Sequence, residues 1–326
     1  MGRNITASKR GFGYDPVTRS LGVYVDGALA ASFPPTPGRT YFVNNITGAS
    51  TNDGLSWANA MDEVSTAITA SETYRELGGV EGGSAVTTND YVRNTIVIQG
   101  TGTTYGAVSE LPSYCDVFGL GAVPFGDGTG IVVLGDAAGS TDGMAGSMRG
   151  TNFYNMQFVG ASTKYAVDLA VAYRSSFENC AFGGNASSAA CAIAFNVVSA
   201  SGLVMRDCKT IAHAAFPVIG YGMATAGGNW NECIMERCYA NASTTGYSNA
   251  GYLQNGSIVR NCVFYGGTTG LSDTSSQTGV GALAFYVDNV GSGGTTGITC
   301  TNGAQARALH NITRGSTTVA IYYAIG

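Results

Sequence analysis

Phe177-Glu178-Asn179-Cys180 is the stretch on which the fold turns, because variants of it recur through the second half of the chain. Phe153-Tyr154-Asn155-Met156 precedes it, and Met205-Arg206-Asp207-Cys208, Met235-Glu236-Arg237-Cys238 and Val259-Arg260-Asn261-Cys262 follow. Val287-Asp288-Asn289-Val290 and Leu309-His310-Asn311-Ile312 continue the series, with successive spacings of 24, 28, 30, 24, 28 and 22 residues. A fixed tetrad at irregular spacing of this size predicts a solenoid whose coils share one corner while other loops vary in length. The first and fourth residues are apolar and are expected inside, the second is expected in solvent, and the third occupies a tight turn. Asn suits that turn because its short amide tolerates left-handed backbone geometry and bonds nearby peptide groups. Stacking then aligns Asn155, Asn179, Asp207, Asn261, Asn289 and Asn311 as a ladder. Arg237 breaks the pattern and suggests a distorted or wider turn.

The second position gives an independent check on the register. It reads Glu178, Arg206, Glu236, Arg260 and Asp288, with signs alternating at each step. Adjacent coils bring such residues to about 4.8 Å backbone separation. Each exposed pair contributes only ~0–1 kcal/mol, yet the column opposes any slip that would stack like charges. In the fourth position Cys180, Cys208, Cys238 and Cys262 form a single column. Cys115, Cys191, Cys233 and Cys300 also fall at inward positions of alternating strands, so all eight cysteines are expected to be reduced core thiols. Parallel Cβ directions within a column oppose the dihedral that a disulfide needs.

Outward from the repeat, strands are expected at Thr95–Gln99, Tyr114–Leu120 and Ile131–Leu134. Upstream, Thr40–Val43 reads as a strand and Ser56 as an N-cap. Trp57, Ala60, Met61, Val64, Ala67 and Ile68 then form one apolar stripe of a helix closed by Gly78-Gly79. Such a helix suits the open end of a solenoid, where core and unpaired strand edges would otherwise meet water. Residues 1–38 read as a small β-hairpin module: Leu21–Val25 and Ala28–Phe33 flank Asp26-Gly27, a type I′ turn signal, and Pro34, Pro35 and Pro37 form a stiff linker. Three units result: an attachment module and linker at 1–38, a first strand and capping helix at 39–93, and the β-helix at 94–326.

Composition agrees with many short strands and tight turns. Hydrophobic residues make up 44% of the chain and charged ones 11%, so there is enough apolar surface to form a core. The net charge of −5 invites neither nucleic acid nor an anionic membrane. No apolar run is long enough to span a bilayer. The first sixteen residues lack the apolar stretch of a secretory signal, so synthesis and assembly in a cytoplasm are expected.

The Asn-plus-inward-Cys corner resembles the pectate-lyase-like superfamily of single-stranded right-handed parallel β-helices. The stretch Tyr41-Phe42-Val43, with Gly48, Asn52-Asp53-Gly54 and Trp57 after it, resembles the start of many phage tailspike-type β-helices. The likeness spans residues 40–326 and implies an all-β, right-handed parallel β-helix. The small module at 1–38, the uncapped apolar strand of Val319, Ile321, Tyr323 and Ile325, and the lack of a leader are the grounds for expecting a virion-surface protein of a bacteriophage: a spike, fibre or head-decoration subunit, assembled in the host cytoplasm. Such proteins are homotrimers, and residues 1–38 would attach the trimer to capsid or tail.

The alternative is a polysaccharide-degrading lyase or glycoside hydrolase. A glycosidase needs two carboxylates at defined separation, and here Glu178, Glu236 and Asp288 are already explained by the charge column. Asp136, Asp142, Asp168 and Glu232 remain, with no motif joining them, so no catalytic residue is assigned. Neither His213 nor His310 has zinc-ligand spacing, and Asp53-Gly54 and Asp127-Gly128 read as turns, so neither metal nor cofactor is expected. Exposed aromatic rings can stack on sugars, and Tyr221, Trp230, Tyr239, Tyr247 and Tyr252 in Gly/Asn-rich segments are the candidates for binding host glycan.

Overall fold

The computed structural model describes residues 38–77, 92–125, 130–135, 140–184, 191–212, 215–225, 228–251, 256–275, 285–300 and 309–315. For 10–15, 20–25, 28–32, 252–254, 284, 306–308 and 319–323 the backbone alone is described. Asp26-Gly27, the linker prolines, Gly78-Gly79, Asp127-Gly128, Asp136 and His213 lie outside these residues.

Three parallel sheets wrap a single core. Sheet I has ten strands, rising from Thr40–Val43 through Asn94–Gln99 and Cys115–Leu120 to Ala306–Leu309. Sheet II has eight, from Val133–Gly135 to Ile312–Arg314, and sheet III has ten, from Met144–Arg149 to Val319–Tyr323. Each coil contributes to successive sheets and pairs with the coils before and after it, which makes the molecule a parallel β-solenoid. Inside, rings stack coil on coil: Phe153 on Phe177 at 5.2 Å and Phe158 on Phe182 at 5.6 Å between centroids. Phe195, Tyr221, Tyr247, Phe264 and Tyr286 extend the aromatic core upward.

The corner between sheets I and II is the repeated tetrad, with one correction. Phe177 pairs with Phe153 and Met205, Met205 with Met235, and Met235 with Val259, as expected. Val259 then pairs with Tyr286, not Val287, and Tyr286 with Ala308. The last two tetrads are therefore Tyr286-Val287-Asp288-Asn289 and Ala308-Leu309-His310-Asn311. The left-handed residues confirm the shift: Asn155, Asn179, Asp207, Arg237, Asn261, Asp288 and His310 all have φ between 52° and 57°. Asn289 and Asn311 therefore do not belong to the turn ladder. Nor is Arg237 a distorted turn: it takes the same geometry, and its guanidinium reaches down to both carboxylate oxygens of Asp207 at 2.8 Å. Lower in the stack the Asn179 amide donates to Asn155 Oδ1 at 2.8 Å, and the Asn155 amide to the carbonyl of Gly119 at 2.9 Å. Gly119 is required there, because a Cβ would sit 2.2 Å from the Asn155 carbonyl oxygen.

The fourth position has a hydrogen-bonding rule of its own. The thiols of Cys180, Cys208, Cys238 and Cys262 point at the carbonyls of Phe153, Phe177, Met205 and Met235, one coil below, at 3.4–3.8 Å. Asn289 and Asn311 take over higher up, donating to the carbonyls of Val259 and Tyr286 at 2.9 and 2.8 Å. The same side chains accept from the coil below: the Cys238 N–H meets Cys262 Sγ at 3.3 Å, and the Cys262 N–H meets Asn289 Oδ1 at 3.0 Å. The left-handed turn points the Cys238 and Cys262 N–H groups away from the sheet ladder, and buried peptide groups need partners. All eight cysteines are buried and none is in a disulfide. Burial pushes the Cys115, Cys191, Cys233 and Cys300 thiols up to about 12. We expect negligible labelling by a thiol reagent at pH 7.5 in the native protein and eight labels in urea, read by mass spectrometry.

The charge column stands for four members. Arg206 lies 3.5 Å from Glu178 and 3.5 Å from Glu236, while Glu236 also meets Arg260 at 3.1 Å and Arg237 at 3.2 Å. Asp288 leaves the column with the register shift; it sits in the corner, 3.6 Å from His310. With three cations around Glu236, the change Glu236→Lys should lower the melting temperature, and by clearly more in 20 mM than in 500 mM salt. An equal loss in both would show that lost packing, and not charge, is responsible.

At the N-terminal end, Ser56 does cap a turn, but only the short 3₁₀ turn Trp57–Asn59. The chain then extends at Ala60 (ψ 144°), since Met61 pairs with Val43. Its N–H bonds the Phe42 carbonyl at 2.9 Å, and its own carbonyl accepts from the Asn44 N–H at 2.8 Å. The α-helix therefore starts only at Val64 and ends at Glu76, burying Val64, Ala67, Ile68, Ser71 and Arg75 over the first strands of sheet I. Trp57 is left outside, leaning on Phe42 at 4.8 Å. Ahead of the solenoid, Arg10–Asp15, Ser20–Val25 and Ala28–Ser32 pair antiparallel in that order. The first of these strands extends the expected hairpin to three.

Candidate functional site

Strand alternation decides the fate of the aromatic candidates. Tyr221 and Tyr247 lie in one inward column of sheet III with Phe195, Leu271 and Ile298, and all are buried. Trp230, paired with Ala200, is buried as well. These three are core residues and cannot present a ring to a sugar, which corrects the sequence-based expectation. Tyr252 has a described backbone only, in the strand Tyr252–Gln254. Tyr239 alone is shown on an outer face, half-buried at the start of its sheet II strand and beside Tyr265 at 5.8 Å.

Around Tyr239 the outer face of sheet II opens into a groove of about 410 Å³, within the size range of small-ligand sites. Tyr239 is in register with Lys209 one coil below. Its walls come from two loops remote in sequence, carrying Phe125 and Phe216, and its floor includes Gln157, Thr210 and Ile211. Phe216 is exposed, and the Lys209 ammonium lies over the Phe125 ring at 4.4 Å. Among the described residues no acid lines the groove. Sequence reading found Tyr239 but missed Phe125, Lys209 and Phe216, because nothing local marks residues that converge only through coil stacking.

The carboxylates are mostly engaged elsewhere. Glu178 and Glu236 are ion-paired in the charge column, Asp207 is held by Arg237, and Asp116 takes two bonds from Arg93, one of them at 2.7 Å. Glu232 is a left-handed corner residue between sheets III and I, with φ 54°. Asp142 accepts the Tyr165 N–H at 2.8 Å. Asp168 faces outward from sheet III and accepts from the Asn196 amide at 2.6 Å, while Asn196 Oδ1 takes the Thr225 hydroxyl at 3.0 Å. Partial burial, with a smaller contribution from the Asp142 charge, raises the Asp168 carboxyl above its usual range. Among the described residues no group of three or more metal-ligating side chains converges, and no helix is long and apolar enough to cross a membrane.

Fold and site together define a parallel β-solenoid with an aromatic, lysine-bearing groove on one outer face. Compared with known protein families, characterised proteins and solved structures, the chain matches none.

Proposed function

We propose that this chain is a non-enzymatic structural subunit of a bacteriophage virion surface, a tail spike or fibre or a head-decoration protein, touching host glycan through the groove at Tyr239. The observation that carries the non-enzymatic part is the engagement of its acids: the carboxylates of the upper sheet I face are paired in register with arginines and fix the stack. The glycan part rests on one exposed ring, Phe216, and two half-buried ones, Tyr239 and Phe125, beside hydrogen-bonding groups. Homotrimerisation, attachment of capsid or tail proteins through residues 1–38, and assembly in the host cytoplasm follow from the likeness to phage β-helices.

Two measurements test this reading. Mass-calibrated chromatography should give a trimer, and cryo-electron microscopy should seat it on particles through residues 1–38. Incubation with host polysaccharide should release neither reducing nor unsaturated sugar. A stable monomer that degrades polysaccharide would sink the proposal in favour of a depolymerase. The observation favouring that second reading is Asp168, on the outer face of sheet III, whose carboxyl is raised by partial burial and, to a smaller extent, by the Asp142 charge, the direction that favours a general acid. Loss of such activity in Asp168→Asn would assign it.

A further inference from the structure

The groove on sheet II also carries a charge signature, which bears on the kind of sugar it takes. Lys209 is the one charged residue among the described residues lining it, in a chain whose net charge is −5. Its ammonium rests on the Phe125 ring, a contact that orients the cation without neutralising it. An ammonium has three donors and no acceptor. Tyr239 stands one coil above Lys209, and Phe216 lines the same groove and is exposed. A cation beside half-open rings is complementary to a pyranose bearing a negative group, and the described lining residues include no acid to repel one.

We propose that the groove binds an anionic pyranose of a surface glycan, with the sugar ring against Tyr239 and Phe216 and the acidic substituent, carboxylate or phosphate, at Lys209. This inference rests on the glycan-binding reading above and adds the charge of the ligand. The site lies on sheet II, away from the Asp168 cluster on sheet III, and needs no bond to be broken.

The test uses the full chain on an array of acidic and neutral bacterial glycans, with Lys209→Gln, Tyr239→Ala and Tyr265→Ala alongside. Lys209 and Tyr239 are surface positions, and unchanged melting temperatures will show that the variants fold. Wild-type binding should concentrate on the acidic glycans and weaken with salt. Lys209→Gln should lose at least tenfold on acidic glycans, Tyr239→Ala should lose at least tenfold on every glycan bound, and Tyr265→Ala should lose little. Binding to neutral glycans that ignores Lys209→Gln would overturn the anionic assignment while leaving glycan binding intact. Wild-type binding to no glycan at all would overturn both. Acidic glycans bound equally by wild type and Lys209→Gln would place the charge recognition elsewhere and sink the proposal. Separate titrations with carboxylated and phosphorylated members of the array distinguish the two anions.

Discussion

Asn289→Ala should lower the free energy of unfolding by about 2–4 kcal/mol, because it strips partners from two buried peptide groups at once. Asn289 has no solvent exposure. Its amide donates to the Val259 carbonyl at 2.9 Å and to Asn311 Oδ1 at 3.1 Å, while its Oδ1 accepts the Cys262 N–H at 3.0 Å. Alanine leaves the Cys262 N–H unpaired in a dry interior, at roughly 1–3 kcal/mol, and removes one bond from the Val259 carbonyl, which the sheet ladder also uses, at roughly 0.5–1.5 kcal/mol. Asn289→Cys should cost no more than about 1.5 kcal/mol, since Cys262 and Cys238 already serve the same two peptide groups in the coils beneath. Urea unfolding followed by circular dichroism compares the two. Equal losses for Ala and Cys would mean that the fourth position needs only a small side chain and that its hydrogen bonds are incidental.

That position is also where the sequence misled. Val287-Asp288-Asn289-Val290 can be read in two registers, and turn preference alone assigns Asn to the turn. The structure places Asp288 and His310 there and uses Asn289 and Asn311 as longer-reaching substitutes for cysteine. From Cys180 upward the position holds a compact group that both donates and accepts, which Cys and Asn share although only one is apolar; Met156 below them fills it by packing alone. The charge column was legible as far as Arg260 and failed at Asp288 for the same reason. The second corner, from sheet III to sheet I, could not be read at all. Among the described residues its left-handed positions are Tyr114, Gly150, Arg174, Gly202, Glu232 and Gly256, six with little chemistry in common.

The site was less legible than the fold. Glycine-rich surroundings made Tyr247 look like a loop residue, whereas Thr245-Gly246-Tyr247 repeats as Thr269-Gly270-Leu271 and Thr296-Gly297-Ile298. That alignment puts the ring in a column of buried aliphatic side chains, and the glycines reflect tight coil contact: a Cβ on Gly270 would lie 2.3 Å from the Ser292 nitrogen. The groove depends on Phe125 and Phe216 meeting Lys209 and Tyr239 across different coils. Loop lengths alone do not specify such a meeting, whereas backbone register within the stack does.

The upper core holds a carboxyl whose titration should be visible in stability. Asp273, with no solvent exposure, accepts from the Tyr286 hydroxyl at 2.9 Å, the Asn249 amide at 3.2 Å and the Ser275 N–H at 2.9 Å. Burial outweighs these bonds and raises the carboxyl above its usual range. A folded-state pKa above the unfolded value of about 3.9 means that the native state holds this proton more tightly. The group's contribution is therefore complete below the unfolded pKa and is lost as pH rises through the raised folded pKa. Asp273→Asn should remove this slope, so that its stability relative to wild type improves from pH 4 to pH 8. Asp207 acts in the opposite sense: Arg237 holds it below the usual range, so its contribution is present at neutral pH and lost on acidification. It is common to both proteins and cancels in the comparison. Asp273→Ala should instead be destabilised at every pH, by about 3–5 kcal/mol, because three donors lose their acceptor together. Urea midpoints across that pH range decide the matter. Parallel curves for wild type and Asp273→Asn would mean that Asp273 keeps an ordinary carboxylate pKa in the native state, its three hydrogen bonds balancing the cost of burial.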